Sequence, residues 1–153
     1  MTVATTAGTQ LAVFAGTPAT YDQAGFAALA WVTVGEVTNM GDIGPEATLV
    51  TYDSIGDRVT KKLKGQINMG SQSVELGQDL SDAGQTILKS AVTLSSGTID
   101  TIHSFRITYK DGALDYYTGL PLSYATSLGD ANQVTSASTV IEIDNEIVPV
   151  AAP

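Results

Sequence analysis

Hydrophobic and polar positions alternate with a period of two along most of this chain, and one stretch breaks the rhythm. Val74 and Leu76 alternate with Ser73, Glu75 and Gly77, and Phe105, Ile107 and Tyr109 alternate with Ser104, Arg106 and Thr108. That period is the mark of strands with one buried face. Between these two segments, Gly84, Ile87, Leu88 and Ala91 recur at helical spacing, which puts them in one narrow stripe with a small residue for close approach. Asp79 or Ser81 can cap the helix start, because a short side-chain oxygen accepts from an otherwise orphaned amide of the first turn, and Asp82 favours the positive helix end. Ser95-Ser96-Gly97 signals the end. The pattern predicts a single helix, over about residues 81–93, lying as a lid on a sheet.

The remaining elements read as strands. Gln10–Ala15 is a short first strand, ended by Gly16-Thr17-Pro18, and Trp31–Thr38 reads as a second. Ala24–Ala30, mostly alanines around Phe26, is compatible with a short turn of helix. Residues 39–58 form the most turn-rich region, with Gly41, Gly44-Pro45 and Gly56 around the strand-like Thr48–Tyr52. A connection of that length inside one domain is more often functional than ornamental. Val59–Ile67 and Gln72–Gln78 are expected to pair as a hairpin, with Val59, Leu63 and Ile67 on one face. Ile102–Lys110 turns at Asp111-Gly112, a dipeptide suited to a tight turn with positive φ, into Leu114–Ser127, which is expected to bend at Gly119 or Pro121. Val134–Asp144 is the last long strand, and residues 146–153 could add an edge strand or an arm. Residues 1–8, small, polar and patternless, are expected to be a flexible arm.

With 153 residues and no cysteine, the chain is long enough for one core without staples, and disulfides, thiolate catalysis and cysteine metal sites are excluded. A single domain over 1–153 is expected. The first residues lack a basic n-region, and Leu11–Ala15 is too short for a signal core or a span, so the expectation is a protein made in a cytoplasm. Sixteen acids against seven Lys and Arg give a net charge of −9, which argues against grasping nucleic acid, since phosphate affinity comes from cations that displace counterions. On the plainest reading, acidity keeps the protein soluble. It also suits a surface that lets nucleic acid pass without sticking.

Four of the seven cations, Arg58, Lys61, Lys62 and Lys64, crowd into one short stretch, while the loop before it carries Asp42, Glu46, Asp53 and Asp57. Two readings stand: lysines guarding an edge strand against unwanted pairing, or opposite patches that steer one subunit onto the next. Within the same region Leu49, Val50, Tyr52 and Ile55 are apolar residues that a permanently solvated loop would not need.

Catalytic signatures are missing. His103 is the one histidine and reads as structural, and the sequence has no nucleophile elbow, phosphate-binding loop, dinucleotide fingerprint or EF-hand loop. No cofactor, metal or catalytic residue is expected. Trp31 with Tyr116-Tyr117 could form a sugar-binding platform, which gives the alternative reading of a carbohydrate-binding or adhesion β-sandwich; filling the core and an interface is the competing role for these rings.

Taken in order, Gly8-Thr9-Gln10-Leu11, Gly35-Glu36-Val37-Thr38 before the Gly-rich connection, the helix Asp82–Leu88, Phe105–Tyr109 before Asp111-Gly112, and the closing Thr139–Ile143 resemble the major tail tube protein of long-tailed bacteriophages. The likeness runs from about Gly8 to Val150. It implies a mainly β fold, a β-sandwich or half-barrel of antiparallel strands with one flanking helix, related to the tubes of contractile tails and type VI secretion. It further implies a virion protein that forms hexameric rings stacked into a tube, the channel for genome ejection, with no catalysis. The implied partners are further copies of itself, a tape-measure protein, a tail terminator, a distal tail protein, and viral DNA passing without specific binding. On this reading the stacking loop presents Asp42, Glu46, Leu49, Val50, Tyr52, Ile55 and Arg58, with Lys61, Lys62 and Lys64 as the basic cluster of the interface. Glu75 and Glu142, each between apolar neighbours, and Asp115 beside Tyr116 are the candidates to face the lumen; solvating the outer wall, or pairing with the lysines across a subunit boundary, is the alternative.

Overall fold

The computed structural model describes residues 3–153, so the first two residues of the expected N-terminal arm lie outside the description. The chain runs β1 (Gln10–Phe14), α1 (Gln23–Ala27), β2 (Val32–Val34), β3 (Val37–Asn39), β4 (Glu46–Tyr52), β5 (Lys61–Asn68), β6 (Ser71–Gly77), α2 (Ala83–Ser90), β7 (His103–Thr108), β8 (Leu114–Ser127), β9 (Ser136–Ile143) and β10 (Val148–Val150). The fold is mainly β, as expected. One antiparallel sheet has the order β2-β1-β7-β8-β9-β6-β3, with β10 also on β8, while β4 and β5 pair only with each other.

The sheet curls until its edges nearly meet. Strands β2 and β3 lie at opposite ends of the strand order, yet only Gly35 and Glu36 separate them in sequence, and three peptide steps span no more than about 11 Å. Glu36 takes a φ of 59° at this kink, an uncommon left-handed conformation for a residue with a side chain. What reads as one strand over Trp31–Thr38 is therefore two half-strands on opposite edges of a half-barrel.

Helix α2 closes the seam. Asp82 is its N-cap, accepting from Gln85 N at 2.9 Å and also from Gly35 N at 3.2 Å; Asp79 instead binds the amide and hydroxyl of Ser81. Gln85, wholly enclosed, donates from Nε2 to the carbonyls of Gly35 and Gly77, each at 3.0 Å, and accepts from Asp79 N at 2.9 Å. A Cβ on Gly84 would lie 2.6 Å from the Thr33 carbonyl oxygen, so only glycine lets the helix sit this close to β2. Replacing Gln85 with Met should leave two buried carbonyls unpaired and cost about 2–4 kcal/mol. Urea unfolding of the variant measures this; a loss below about 0.5 kcal/mol, the level of an inert surface change, would show that the seam closes without it.

The apolar stripe on α2 and one face of every barrel strand make the core: Leu11, Val13, Val34, Val74, Leu76, Leu88, Phe105, Ile107, Tyr117, Ile141 and Ile143. A second, smaller layer covers part of the outside, so the expectation of a single helix is corrected. Short helix α1, capped by Asp22 on Gly25 N at 2.8 Å, buries Phe26. The Phe26 ring stacks on Tyr116 at 5.1 Å, Trp31 stacks on Tyr116 at 5.8 Å, and the Arg106 guanidinium sits 5.3 Å from the Trp31 ring. With so few residues α1 has little helical preference of its own and is held by these rings.

Candidate assembly surfaces

Two surfaces are left without a covering layer. The first is the β4–β5 hairpin. Ala47 stands opposite Ile67, Leu49 opposite Lys64, Val50 opposite Leu63, and Tyr52 opposite Lys61, with a register shift between Ala47 and Leu49. The expected pairing of Val59–Ile67 with Gln72–Gln78 does not occur, because β6 lies between β9 and β3 instead. The bulge near Gly65 also turns Leu63 and Ile67 to opposite faces, since one extra residue inverts every side chain beyond it. Both faces consequently show apolar groups: Val50, Tyr52 and Leu63 on one, Leu49 and Ile67 on the other, all exposed. A lone two-stranded hairpin is at best marginal in water, and this one makes no ladder with the barrel.

The residues assigned to the stacking loop are gathered on this arm. Glu46, Leu49, Val50 and Tyr52 lie on β4, Ile55 and Arg58 in the connecting turn, and Asp42 in the root between β3 and β4; all are exposed. The arm is thus residues 46–68, strand-paired, rather than the loop 39–58. Lys62 and Lys64 flank Leu49 on one face, and Lys61 points to the other, where its Nζ lies 3.1 Å from Asp57 Oδ2, the one salt bridge among the described residues.

The second surface is the outer face of β6, β9 and the far half of β8. Register sets it row by row: Ser71, Glu142 and Leu120; Ser73, Val140 and Ser123; Glu75, Ser138 and Ala125. Neither helix lies over these rows, and six of the nine side chains are polar, four serines and two glutamates. Leu122 is the extra residue of a bulge in β8, where the Ser123 hydroxyl accepts from Val140 N at 3.2 Å. Pairing between β7 and β8 stops at His103 opposite Gly119, so from Leu120 to Ser127 that side of β8 is an unpaired edge. Unpaired edges invite another chain.

Glu75 and Glu142 share this face, but Asp115 does not. Asp115 stands opposite Ile107, on the core side of the sheet at the barrel mouth, and accepts from Tyr109 Oη at 2.5 Å. Burial and that hydrogen bond push the Tyr109 hydroxyl up to about 12. The alternation of Asp115 with Tyr116 was legible; what decided the face was that Tyr116 is turned outward beneath α1.

Further along the inside, Tyr117 donates to Gln72 Oε1, and Gln72 Nε2 donates to the Met40 carbonyl at 2.9 Å. His103 is fully buried, with Nδ1 2.9 Å from the Thr101 carbonyl, and burial lowers its proton affinity, which keeps the ring neutral and structural. Tyr116 and Tyr117 are 3% and 0% exposed, so with Trp31 they present no platform to a sugar; they fill the two cores. Among the described residues no group of three or more His, Asp or Glu is placed to hold a metal ion, and no helix is long and apolar enough to cross a membrane. Gln85 and Gln72, the polar residues that order the interior, carry no periodic signal, because a buried amide in a helical or strand pattern looks like any solvent-facing position.

No protein-family model matches the chain, and no curated protein matches it. Solved structures do. The fold is similar to a chain in the six-fold-symmetrised baseplate of the anti-feeding prophage (TM-score 0.75, 12% identity, covering 99% of this chain and 98% of that one). It is also similar to the tail of an empty gene transfer agent particle with C6 symmetry (TM-score 0.62, 13% identity, 82% and 90% covered). A third is the sheath/tube terminator of an extracellular contractile injection system (TM-score 0.58, 12% identity, 93% and 94% covered). At such identities the likeness is one of fold.

Proposed function

We propose that this chain is a structural protein of a phage-type tail, a subunit that polymerises as stacked hexameric rings into the tail tube. The observation that carries this reading is the β4–β5 hairpin, a free-standing arm apolar on both faces, which a lone monomer would have no reason to keep. Support comes from the fold it shares with parts of six-fold particles and from the open edge of β8. Catalysis has no place in the reading.

In such a tube the face carrying Ser71, Ser73, Glu75, Ser138 and Glu142 would line the channel, presenting carboxylates that repel phosphates and no Lys or Arg to hold them. DNA would then slide through during ejection, after a tape-measure protein has left the lumen. A tail terminator and a distal tail protein would close the two ends. The protein would reside in the virion and be made in the host cytoplasm. Electron microscopy of the concentrated protein in negative stain tests the reading. Tubes of uniform width are expected; small monodisperse particles under every assembly condition, with no such tube in particles of the source phage, would overturn it.

The lumen assignment carries its own prediction. Glu75→Lys with Glu142→Lys should permit assembly but slow ejection, because each new phosphate contact steepens the salt dependence of binding by about 0.9 in log–log slope. Asp115→Lys, on the other side of the sheet, should leave the salt dependence unchanged in any tube that assembles. Ejection kinetics at two ionic strengths decide it: salt-independent, normal ejection in the double variant would remove both glutamates from the channel.

A further inference from the structure

A cavity of about 560 Å³ opens at the barrel mouth, walled by Met40, Ile43, Ile107, Tyr109 and Ala113 and lined on another side by residues 3–6. We infer that this cavity is the socket for the hairpin tip of a second copy of the chain, with Ile55 inserted among the apolar walls and Asp53 meeting Lys110 at the rim. The inference rests on the proposal that the chain polymerises, and it names the contact by which neighbouring copies join.

Three observations lead there. Ile55 is fully exposed at the turn of the hairpin, an isoleucine with no apolar neighbour to cover it. The socket cannot be filled by the tip of its own hairpin, although Met40, Gly41 and Ile43 at the hairpin root line it. Strands of this length hold the tip roughly 23 Å from the root, and folding back would break the β4–β5 ladder. A hairpin tip seated here therefore comes from another molecule.

Charge agrees with this choice. Lys110 is exposed at the rim and has no carboxylate partner among the described residues, while the neighbouring Asp111 carboxylate already accepts from Ala113 N at 3.0 Å. On the tip, Asp57 is engaged by Lys61, and Asp53 is left without a cation. A contact in which the tip of one copy enters the mouth of the next uses different surfaces on the two partners. Such contacts close into rings or extend into filaments.

Because the chain has no cysteine, the contact can be trapped cleanly. Ile55→Cys combined with Ala113→Cys, oxidised during assembly, should give a ladder of disulfide-linked oligomers that neither single variant gives, and that Ile55→Cys with the exposed control Leu94→Cys does not give. Independently, Asp53→Lys and Lys110→Asp should each raise the concentration needed for assembly about tenfold, and the two together should restore it, since reversing both charges restores the attraction. A missing ladder, or a double reversal no better than the singles, overturns the socket if the unaltered chain still assembles, and the polymer reading then survives. If the unaltered chain never assembles, both fall.

Discussion

Phe105→Ala should bring the monomer close to unfolding, with an expected loss of about 3–5 kcal/mol from a total stability of order 5–15 kcal/mol. Phe105 is wholly buried at the centre of β7, opposite Val13 on one side and Tyr117 on the other, and its ring stacks on Tyr117 at 5.3 Å. Truncation removes the transfer free energy of the ring and leaves a cavity where three strands meet. The urea midpoint reports the effect, and Leu94→Ala, on an exposed loop, is the control expected to stay within about 0.5 kcal/mol. A Phe105→Ala loss under about 1.5 kcal/mol would mean that the curled sheet relaxes into the space, and that the core is less tightly joined across β1, β7 and β8 than its burial implies.

The second large effect should fall on assembly and spare the monomer. Val50 and Leu63 face each other across the hairpin and are exposed, so Val50→Asp with Leu63→Asp should leave the thermal midpoint of the monomer almost unchanged. Burying two such side chains in a contact contributes about 3–6 kcal/mol, and losing it should raise the concentration needed for polymerisation at least about a hundredfold. Sedimentation across a concentration series measures this directly. In the unaltered protein, amides of residues 46–68 should exchange rapidly before assembly and become protected afterwards, while those of β7 and β8 stay protected throughout. Equal protection of the hairpin in both states would refute ordering on assembly. Efficient polymerisation of the double aspartate variant would remove the hairpin from the interface.

Much of the molecule was open to a reader of the sequence. Period-two alternation gave β6, β7 and β9 their buried faces, and the stripe of Gly84, Leu88 and Ala91 gave α2 its packing side, because side-chain direction follows directly from local backbone geometry. Asp111-Gly112 marked its turn, with Gly112 at a φ of 94°. The bend in β8 came at Pro121, as a bulge. The lone histidine, read as structural, is buried, and the apolar residues crowded before Ile67 lie exposed on the β4–β5 hairpin.

Other features could not be read, for a common reason. Alternation tells each strand which side faces inward and is silent on which strand lies beside it. Val59–Ile67 and Gln72–Gln78 look like partners because they are adjacent in sequence, yet β9 offers β6 a seven-residue ladder and β5 is left to β4. Trp31–Thr38 looks continuous because the cost of turning at Glu36 is local, while the gain, closure of the barrel with Gln85 bridging Gly35 and Gly77, is made by residues some fifty and forty positions away in the chain. Asp115 and Glu142 have similar surroundings in sequence and point to opposite sides of the sheet. By itself the sequence determined the strand class, the side each strand buries, the position of the main helix and the acidic, motif-poor surface. Only the tertiary structure decided the strand order, the closure of the half-barrel and the isolation of the hairpin, because these depend on long-range pairings whose free energy no local pattern carries.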